Sequence, residues 1–313
     1  MPSPRRTLVV LATGGTIAGR AANAHDNVGY RAAALGVDEL LHALPGGPGL
    51  TLETEDLARL DSKDMDHATW LCLVQRLAHH LARAQVQGAV VTHGTDTLEE
   101  TAWLLHRVLA PRKPVVLTAA MRPASSLQAD GPQNLADALA VAAAVEARGV
   151  LVVLAGQVFG AGDARKRHSW RLDAFTAGDA GAIAAIEQGA LRRFREWPSA
   201  EPIGLDGLPA DSSAWPWVEI VTSHAGARGA GVDALVHAGV RGLVVAGTGN
   251  ATVHVDLAQA LQRAQAAGVV VRLVTRCAAG PVLAGRDHRW PVYAALSAPQ
   301  ARVELMLELM QES

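Results

Sequence analysis

The fold of this chain is decided by one stretch, Leu8-Val9-Val10-Leu11-Ala12-Thr13-Gly14-Gly15-Thr16-Ile17-Ala18-Gly19. Its first residues are apolar and predict a short buried strand, after which Gly14 and Gly15 allow a sharp turn. Backbone N–H groups at such a turn can face a developing negative charge, so Thr16 is a candidate nucleophile. An ordinary glycine turn whose threonine caps a neighbouring element would have the same sequence, and the segment alone leaves both interpretations open.

A second stretch repeats the pattern of an apolar strand that leads into small and polar residues, Gly88-Ala89-Val90-Val91-Thr92-His93-Gly94-Thr95-Asp96-Thr97-Leu98-Glu99-Glu100-Thr101-Ala102. Asp96 or Thr97 could cap the helix that follows, and Glu99 and Glu100 suit the positive end of its dipole. Capping cannot use all of these residues. The others are candidates for chemistry, because ligands of open parallel sheets bind beyond the carboxyl ends of the strands.

Together, the two stretches resemble the two signature regions of the bacterial-type asparaginase family, at residues 13–19 and 92–97. The resemblance extends over nearly the whole chain. It implies an amidohydrolase that converts L-asparagine and water into L-aspartate and ammonia through Thr16, with L-glutamine as an alternative substrate. It also implies that no metal or organic cofactor takes part and that the chain forms a homotetramer made from closer dimers.

Length and composition fit an enzyme that acts on a small molecule. The chain has 313 residues, of which 50% are hydrophobic, enough for more than one core. Its formal net charge of -2 and the lack of a concentrated basic face argue against nucleic acid or an anionic membrane as a partner. No stretch approaches the roughly 20 apolar residues of a membrane-spanning helix. No export signal precedes the first glycine turn, so we expect a soluble, cytoplasmic protein.

Cysteine usage gives no sign of a disulfide framework or a zinc site. Cys72 and Cys277 are the only cysteines of the sequence, and they lie far apart without the spacing of metal ligands. We expect both to be reduced, buried and inert.

The alternation of short apolar runs with helical patterns predicts an α/β protein, with parallel strands joined by crossover helices on both faces of the sheet. We expect a larger N-terminal domain over residues 1–191, which carries the threonines. A stretch rich in Pro, Gly, Ser and Asp predicts a linker at residues 192–214. Residues 215–313 repeat the α/β pattern on a smaller scale. The predicted strands lie at residues 7–12, 50–53, 89–92, 114–119, 150–154, 217–222, 242–246 and 269–275.

The resemblance places a catalytic lysine at Lys166, where it works with Thr95 and Asp96. An ammonium group beside Asp96 can balance the local charge, and a lysine of lowered pKa can share a proton with Thr95. Without the resemblance, Lys166 would be interpreted as a solvated residue of a basic surface run, since arginines flank it on both sides.

Tyr30 resembles the tyrosine of the family's mobile lid. It follows a polar segment at residues 23–29 that ends in glycine and could close over a pocket. The phenol could relay a proton from Thr16. A surface tyrosine that packs on its own loop is the alternative.

The resemblance also assigns the groups that bind the substrate. Ser62 matches the family's carboxylate-binding serine, Asp96 can accept a charge-assisted hydrogen bond from the α-ammonium, and the main-chain carbonyl of Ala120 is expected to accept from the scissile amide. Lys63 stands where many members carry a neutral amide, and it would attract an anionic group if it points inward. For Ser62, a helix cap is the alternative. The substrate-binding set implied by the resemblance also includes Gly15, Gly94 and Thr95.

In the second domain, the loop Gly247-Thr248-Gly249-Asn250-Ala251-Thr252 resembles the family loop that reaches the active site of a neighbouring subunit. Asn250 fits the pattern, whereas Thr252 replaces the family's second asparagine. Residues 276–293 contain no glutamate to match the partner-subunit carboxylate that contacts the substrate ammonium, and Asp287 could take its place. Since a buried ammonium without an acceptor is costly, these departures leave the choice between asparagine and glutamine open.

Two other functions share some of these features. A related amidohydrolase could act on a glutaminyl group of transfer RNA or on a D-amino acid amide, but the near-neutral charge and the lack of an appended RNA-binding region disfavour the RNA substrate. A nucleotide-binding regulatory module could use the glycines that follow apolar strands, but neither glycine loop has dinucleotide or P-loop spacing. Protection by nucleotides in a thermal-shift assay would favour the module.

Overall fold

The computed structural model describes residues 6–42, 51–283, 285 and 288–312. The chain divides into two units, Met1–Leu205 and Asp206–Ser313, and this division lies within the linker predicted at residues 192–214. Strands and helices occur in both units. The α/β class predicted from the sequence is confirmed by this architecture.

The first unit is built on a large mixed sheet. Its strands are β1 (Thr7–Gly14), β2 (Thr51–Leu60), β3 (Val86–Thr92), β4 (Val115–Thr118), β5 (Val150–Leu154), β6 (Gln157–Gly160), β9 (Ala184–Glu187) and β10 (Ala190–Arg193), while β7 (Arg165–Lys166) and β8 (Phe175–Thr176) form a separate ribbon. The order across the sheet is β10-β9-β6-β5-β4-β3-β1-β2. β1 to β5 pair in parallel, as the sequence predicts.

The antiparallel part of the sheet, β6, β9 and β10, is absent from the strands predicted above. β6 follows β5 through Ala155 and Gly156, and β10 follows β9 through Gln188 and Gly189. All four of these residues have positive φ angles, the backbone typical of two-residue hairpin turns. β10 ends at Arg193, so the first residues of the predicted linker belong to a strand.

Helices cover the sheet of the first unit. They are α1 (Val37–His42), α2 (His67–Leu81), α3 (Leu98–Leu109) and α4 (Gly131–Ala143). α2 packs on β2 and β3, α3 on β5, and α4 on β1, β3, β4 and β5. Consecutive residues of β1 such as Val9, Val10 and Leu11 are all buried, which is the pattern of a parallel strand covered on both faces.

The second strand is longer than the sequence predicts. The prediction is residues 50–53, whereas β2 is Thr51–Leu60 and Leu50 lies outside the described residues. β2 is an edge strand, so polar residues alternate along it and weaken the apolar signal. One of them, Glu55, is ion-paired with Arg76 of α2 at 2.7 Å.

The second unit is a smaller α/β layer. It contains β11 (Val218–Thr222), α5 (Ala230–His237), β12 (Gly242–Gly247), α6 (Val255–Ala266), β13 (Val270–Thr275) and α7 (Ala298–Gln311). The three strands are parallel in the order β11-β12-β13. α7 packs on all three of them.

The predicted burial of the cysteines is wrong. Cys72 and Cys277 are free thiols, and both are exposed. Cys72 lies on α2 beside the buried Leu73, on the face of the helix that points away from the sheet. Within the described residues, no helix has both the length and the hydrophobicity needed to cross a membrane.

Candidate active site

Two parallel strands end side by side in the sheet of the first unit. β1 and β3 are neighbours, and Ala12 pairs with Thr92 at their carboxyl ends. The chain then turns twice: residues 13–16 form the first elbow and residues 93–97 form the second elbow. The hydroxyl of Thr13 donates to the main-chain oxygen of Thr92 at 3.0 Å, which ties the two turns together.

The two elbows pack against each other through glycines. A Cβ atom placed on Gly15 would lie 2.5 Å from the Cα of Gly94, and one placed on Gly94 would lie 2.7 Å from the Cβ of Ser62. Gly15 also has a φ of 80°, which side chains other than glycine adopt only with strain. The candidate hydroxyls next to these glycines, Thr16 and Thr95, are therefore carried on turns in direct contact.

We expect Gly94→Ala to destabilise the protein, because the added methyl group would overlap the side chain of Ser62. Overpacking of this kind costs about 1–3 kcal/mol, which thermal denaturation detects as a lower Tm. Gly231→Ala is the matched control: a Cβ at this position of α5 meets open space, so alanine should leave Tm unchanged or raise it. Equal Tm values for Gly94→Ala and the wild type would contradict the close packing.

Thr16 is hydrogen-bonded to the predicted lid tyrosine. Its Oγ1 lies 2.6 Å from the phenolic oxygen of Tyr30, and both side chains are half-buried. The ring of Tyr30 also lies against Gly19, where a Cβ would be 2.8 Å from the ring Cδ2. Arg20 and Arg31 form an antiparallel bridge that closes the intervening loop. The phenol is thus held against the first elbow.

The second elbow presents Thr95 to a lysine from a distant part of the chain. Lys166 Nζ donates to Thr95 Oγ1 at 2.8 Å and to Asp96 Oδ1 at 2.5 Å. The backbone N–H of Lys166 donates to Glu99 Oε2 at 3.2 Å, which holds β7 against the first turn of α3. The Lys166 side chain is only 20% exposed, and Thr95 is buried. The ammonium therefore bridges a hydroxyl and a carboxylate instead of lying free on the surface.

Ser62 lies under the second elbow and is buried. Its Oγ accepts from the N–H of Asp96 at 3.2 Å, and its main-chain oxygen accepts from the hydroxyl of Thr97 at 2.7 Å. Asp61, and not Ser62, is the N-cap of the short helical turn that follows. The geometry thus joins Ser62 to the loop that carries Thr95.

Lys63 does not point inward. Its side chain is 60% exposed, and its ammonium group is paired with Asp64 at 2.5 Å and Asp61 at 3.5 Å. The hydrogen bond to Asp64 raises the pKa of Lys63 above its usual value. The expected attraction of Lys63 for an anionic substrate group is therefore not supported, because two neighbouring carboxylates already balance its charge.

Ala120 lies in a buried turn after β4, and helix α4 fixes this turn. The carboxylate of Asp130 accepts from the N–H groups of Met121 and Arg122 at 3.0 and 2.9 Å, and Asn134 Nδ2 donates to the carbonyl before Ala120 at 2.9 Å. Sequence reasoning missed both anchoring residues. Asp130 is the N-cap of α4 and proline follows near the helix start, so the capping pattern could have identified it.

A buried hydrogen-bond chain beside the second elbow was also missed. His93 is fully buried; its Nδ1 lies 2.7 Å from the oxygen of Gly94, and its Nε2 lies 3.0 Å from Thr101 Oγ1. Trp70 Nε1 donates to the same threonine oxygen at 2.8 Å. Burial lowers the pKa of His93 to about 4, so the imidazole is neutral near pH 7. Its place inside the second stretch was the available signal.

Two family models cover almost the whole chain. Residues 7–199 match the model described as Asparaginase, N-terminal, and residues 217–313 match the Glutaminase/Asparaginase C-terminal domain. The chain belongs to the asparaginase family. The family resemblance of the two elbows is thereby confirmed.

Individual members of the asparaginase family match at similar identity over nearly the full chain. L-asparaginase 2 of Bacillus subtilis is 34% identical over 96% of this chain and 81% of that protein. Glutaminase-asparaginase of Pseudomonas fluorescens is 32% identical over 96% of this chain and 86% of that protein. A solved structure of a probable cytoplasmic L-asparaginase from Campylobacter jejuni has a TM-score of 0.91 at 33% identity, over 98% of each chain.

Asn250, the candidate site residue of the second unit, is hydrogen-bonded within that unit. Its Nδ2 donates to the main-chain oxygen of Leu283 at 3.0 Å, and its Oδ1 accepts from the N–H of Leu283 at 2.7 Å. The main-chain oxygen of Asn250 lies 2.8 Å from Nε2 of His288. Asp287, the suggested substitute for the family glutamate, lies outside the described residues. Asn250 therefore orders the loop around Leu283.

The first unit alone brings most of the candidate residues together. Two hydroxyls face groups that can transfer protons, and a serine and two glycines pack beneath them; these candidates are Gly15, Thr16, Tyr30, Ser62, Gly94, Thr95, Asp96 and Lys166. Among the described residues, no group of three or more His, Cys, Asp or Glu side chains is arranged to hold a metal ion. The chemistry that the arrangement can support is nucleophilic attack with proton transfer.

Proposed function

We propose that this chain is an amidohydrolase that converts L-asparagine and water into L-aspartate and ammonia, with Thr16 as the nucleophile. One observation carries the proposal. Two threonine hydroxyls lie on touching turns, and each is hydrogen-bonded to a side chain that can accept or donate a proton, Tyr30 for Thr16 and Lys166 for Thr95. Hydrolysis of an amide through a covalent intermediate needs proton transfer in both steps, and these two pairs can supply it.

In the first step, Thr16 Oγ1 attacks the carbon of the side-chain amide and gives its proton to the phenol oxygen of Tyr30, which passes its own proton on to the amide nitrogen. The C–N bond breaks, the protonated nitrogen leaves as ammonia, and an ester joins Thr16 to the aspartyl group. In the second step, water attacks this ester and gives its proton to the group formed by Thr95, Lys166 and Asp96. As the ester bond breaks, that proton passes from this group to Thr16 Oγ1, so the Thr16 hydroxyl is restored and L-aspartate leaves.

The remaining candidates bind the substrate in this proposal. The Ser62 hydroxyl faces the substrate carboxylate, and Asp96 accepts from the α-ammonium with the oxygen that does not contact Lys166. The carbonyl of Ala120 accepts from the scissile amide, and backbone N–H groups at the glycine turns stabilise the oxyanion. No metal or organic cofactor enters the scheme, because side chains of the site account for every proton.

L-glutamine is the second candidate substrate. Two relatives carry different substrate names. One is L-asparaginase 2 of Escherichia coli, at 33% identity, and the other is Glutaminase-asparaginase of Pseudomonas fluorescens, at 32% identity. The ammonium group of Lys63 is paired with Asp61 and Asp64, so its charge gives no preference between the two amides. The ratio of the activities toward L-asparagine and L-glutamine therefore decides which amide is the preferred substrate.

We also propose that the chain works as a cytoplasmic homotetramer in which the Asn250 loop contributes to a neighbouring subunit's site. The Campylobacter jejuni neighbour is described as cytoplasmic, whereas a Haemophilus influenzae relative is described as periplasmic. Sedimentation of the purified protein tests the assembly. A fully active monomer would reject it.

The decisive experiment measures ammonia and L-aspartate released from L-asparagine by the purified wild-type chain. We expect the two products in equal amounts, because each turnover breaks one C–N bond. A parallel assay with L-glutamine gives the ratio of kcat/KM for the two amides. Absence of ammonia release from both substrates by the folded protein would reject the proposed function.

A further inference from the structure

We propose that His93 is a positioning residue for the second elbow: with Trp70 and Thr101 it forms a one-way chain of hydrogen bonds that fixes the Gly94–Thr95 peptide for the reaction. The inference rests on the proposed function, since it concerns the same site. None of the side chains in this hydrogen-bond chain contacts the substrate in the proposed reaction. They act through the backbone that carries Thr95.

The direction of the chain follows from what each group can donate. The main-chain oxygen of Gly94 can only accept, so the hydrogen of His93 must lie on Nδ1, 2.7 Å away. Because burial keeps the imidazole neutral near pH 7, Nε2 carries no hydrogen and accepts from the hydroxyl of Thr101. The indole of Trp70 is a donor only, and it donates to that same hydroxyl oxygen. For a neutral imidazole, no other assignment satisfies all three contacts.

This chain sets the orientation of one peptide plane. In a trans peptide the C=O and the following N–H point in opposite directions, so a Gly94 carbonyl held by His93 directs the N–H of Thr95 away from the imidazole. Within the part of the chain that the structure describes, no hydrogen bond engages this N–H. It therefore remains available as a donor at the site. A rotation of the peptide would bury that donor against the imidazole.

The close packing of the elbows makes the reaction sensitive to this peptide. Gly94 is in contact with Gly15 on one side and Ser62 on the other, so a shift of its backbone displaces the first elbow as well. The imidazole is fully buried and is held at both nitrogens. His93 can therefore hold the loop without contacting the substrate.

The test compares two substitutions at one buried position. His93→Leu removes the donor to Gly94, whereas His93→Asn keeps an N–H at nearly the position of Nδ1. We expect kcat for L-asparagine to fall about 10- to 100-fold in His93→Leu, the loss for a buried hydrogen bond left unmade, and much less in His93→Asn. KM should change little in both, because the substrate contacts remain.

His106→Leu is the matched control. His106 is also a buried histidine of the same region, it lies near the other end of α3, and burial lowers its pKa to about 4 as well. Its Nδ1 has no hydrogen-bond partner among the described residues. We expect His106→Leu to keep the wild-type kcat whatever its effect on Tm.

Thr101→Val breaks the same hydrogen-bond chain at Thr101, the residue next to His93. It also provides a test if His93→Leu does not fold. Valine keeps the shape of the threonine side chain but removes the hydroxyl that donates to Nε2 and so fixes the tautomer of His93. We expect a loss of roughly 3- to 10-fold in kcat, and no further loss when Thr101→Val is added to His93→Leu, since both changes break one chain. If kcat is retained in His93→Asn but lost in His93→Leu, the loss comes from the missing donor to Gly94 and not from lower stability.

The outcomes distinguish this inference from the proposed function. A wild-type chain that releases no ammonia rejects the function itself. An active wild type together with kcat within about twofold of it in His93→Leu, or in Thr101→Val where the leucine variant does not fold, overturns the positioning role alone. Equal losses in the leucine and asparagine variants would also overturn it, because the retained donor would then have no effect.

Discussion

Thr16→Ala is expected to lower kcat for L-asparagine by at least about 10³-fold, since loss of a nucleophile removes the covalent route as a whole. The substitution deletes the hydroxyl that lies 2.6 Å from the phenol of Tyr30. Thr16 is only half-buried, so Tm should change by little. Ammonia release and thermal denaturation of the same preparation provide the two readouts.

Thr16→Ser and Tyr30→Phe bracket this result. Serine keeps a hydroxyl at the first elbow and should retain measurable turnover, with less restricted rotation of the side chain. Phenylalanine keeps the ring against Gly19 but removes the proton acceptor, which we expect to cost roughly 10²-fold in kcat. A folded Thr16→Ala protein with full activity would remove Thr16 from the mechanism and leave Thr95 as the candidate nucleophile.

The local parts of the site were predictable from sequence because they follow strands directly. The first elbow and the second elbow each come after a buried apolar strand, and parallel neighbours end at the same end of a sheet, so their meeting follows from topology. Lys166 is different. It lies 71 residues from Thr95 within a basic run, and only the family resemblance distinguished it from a surface lysine.

Prediction from the sequence was wrong or incomplete where burial, strand length or hydrogen bonding depends on residues that are distant in the chain. The long edge strand β2 has exposed polar residues that pair with α2, so the apolar pattern ended too early. Cys72 was predicted to be buried, but its side of α2 faces away from the sheet. The hydrogen bonds that begin at His93 continue through Thr101 of α3 to Trp70 of α2, and no periodicity in one segment specifies a hydrogen bond between Thr101 and Trp70.

Lys166→Met is expected to lower kcat by roughly 10²- to 10⁴-fold, the range for loss of a group that transfers protons in the transition state. Methionine fills a similar volume, but it removes the donor to Thr95 and leaves the carboxylate of Asp96 without its cation. Asp96 is 53% exposed, so water can solvate the unpaired charge and the cost to stability should remain small. The readouts are kcat, KM and Tm.

Two variants make the result specific to proton transfer at this position. Lys166→Arg keeps the positive charge beside Asp96 but places a guanidinium that does not release its proton, so its activity should stay close to that of Lys166→Met. Lys113→Met removes an ammonium that donates to two main-chain oxygens away from the elbows; it should lower Tm and leave kcat unchanged. Wild-type activity in Lys166→Arg would show that charge balance alone is required and would exclude proton transfer by the lysine.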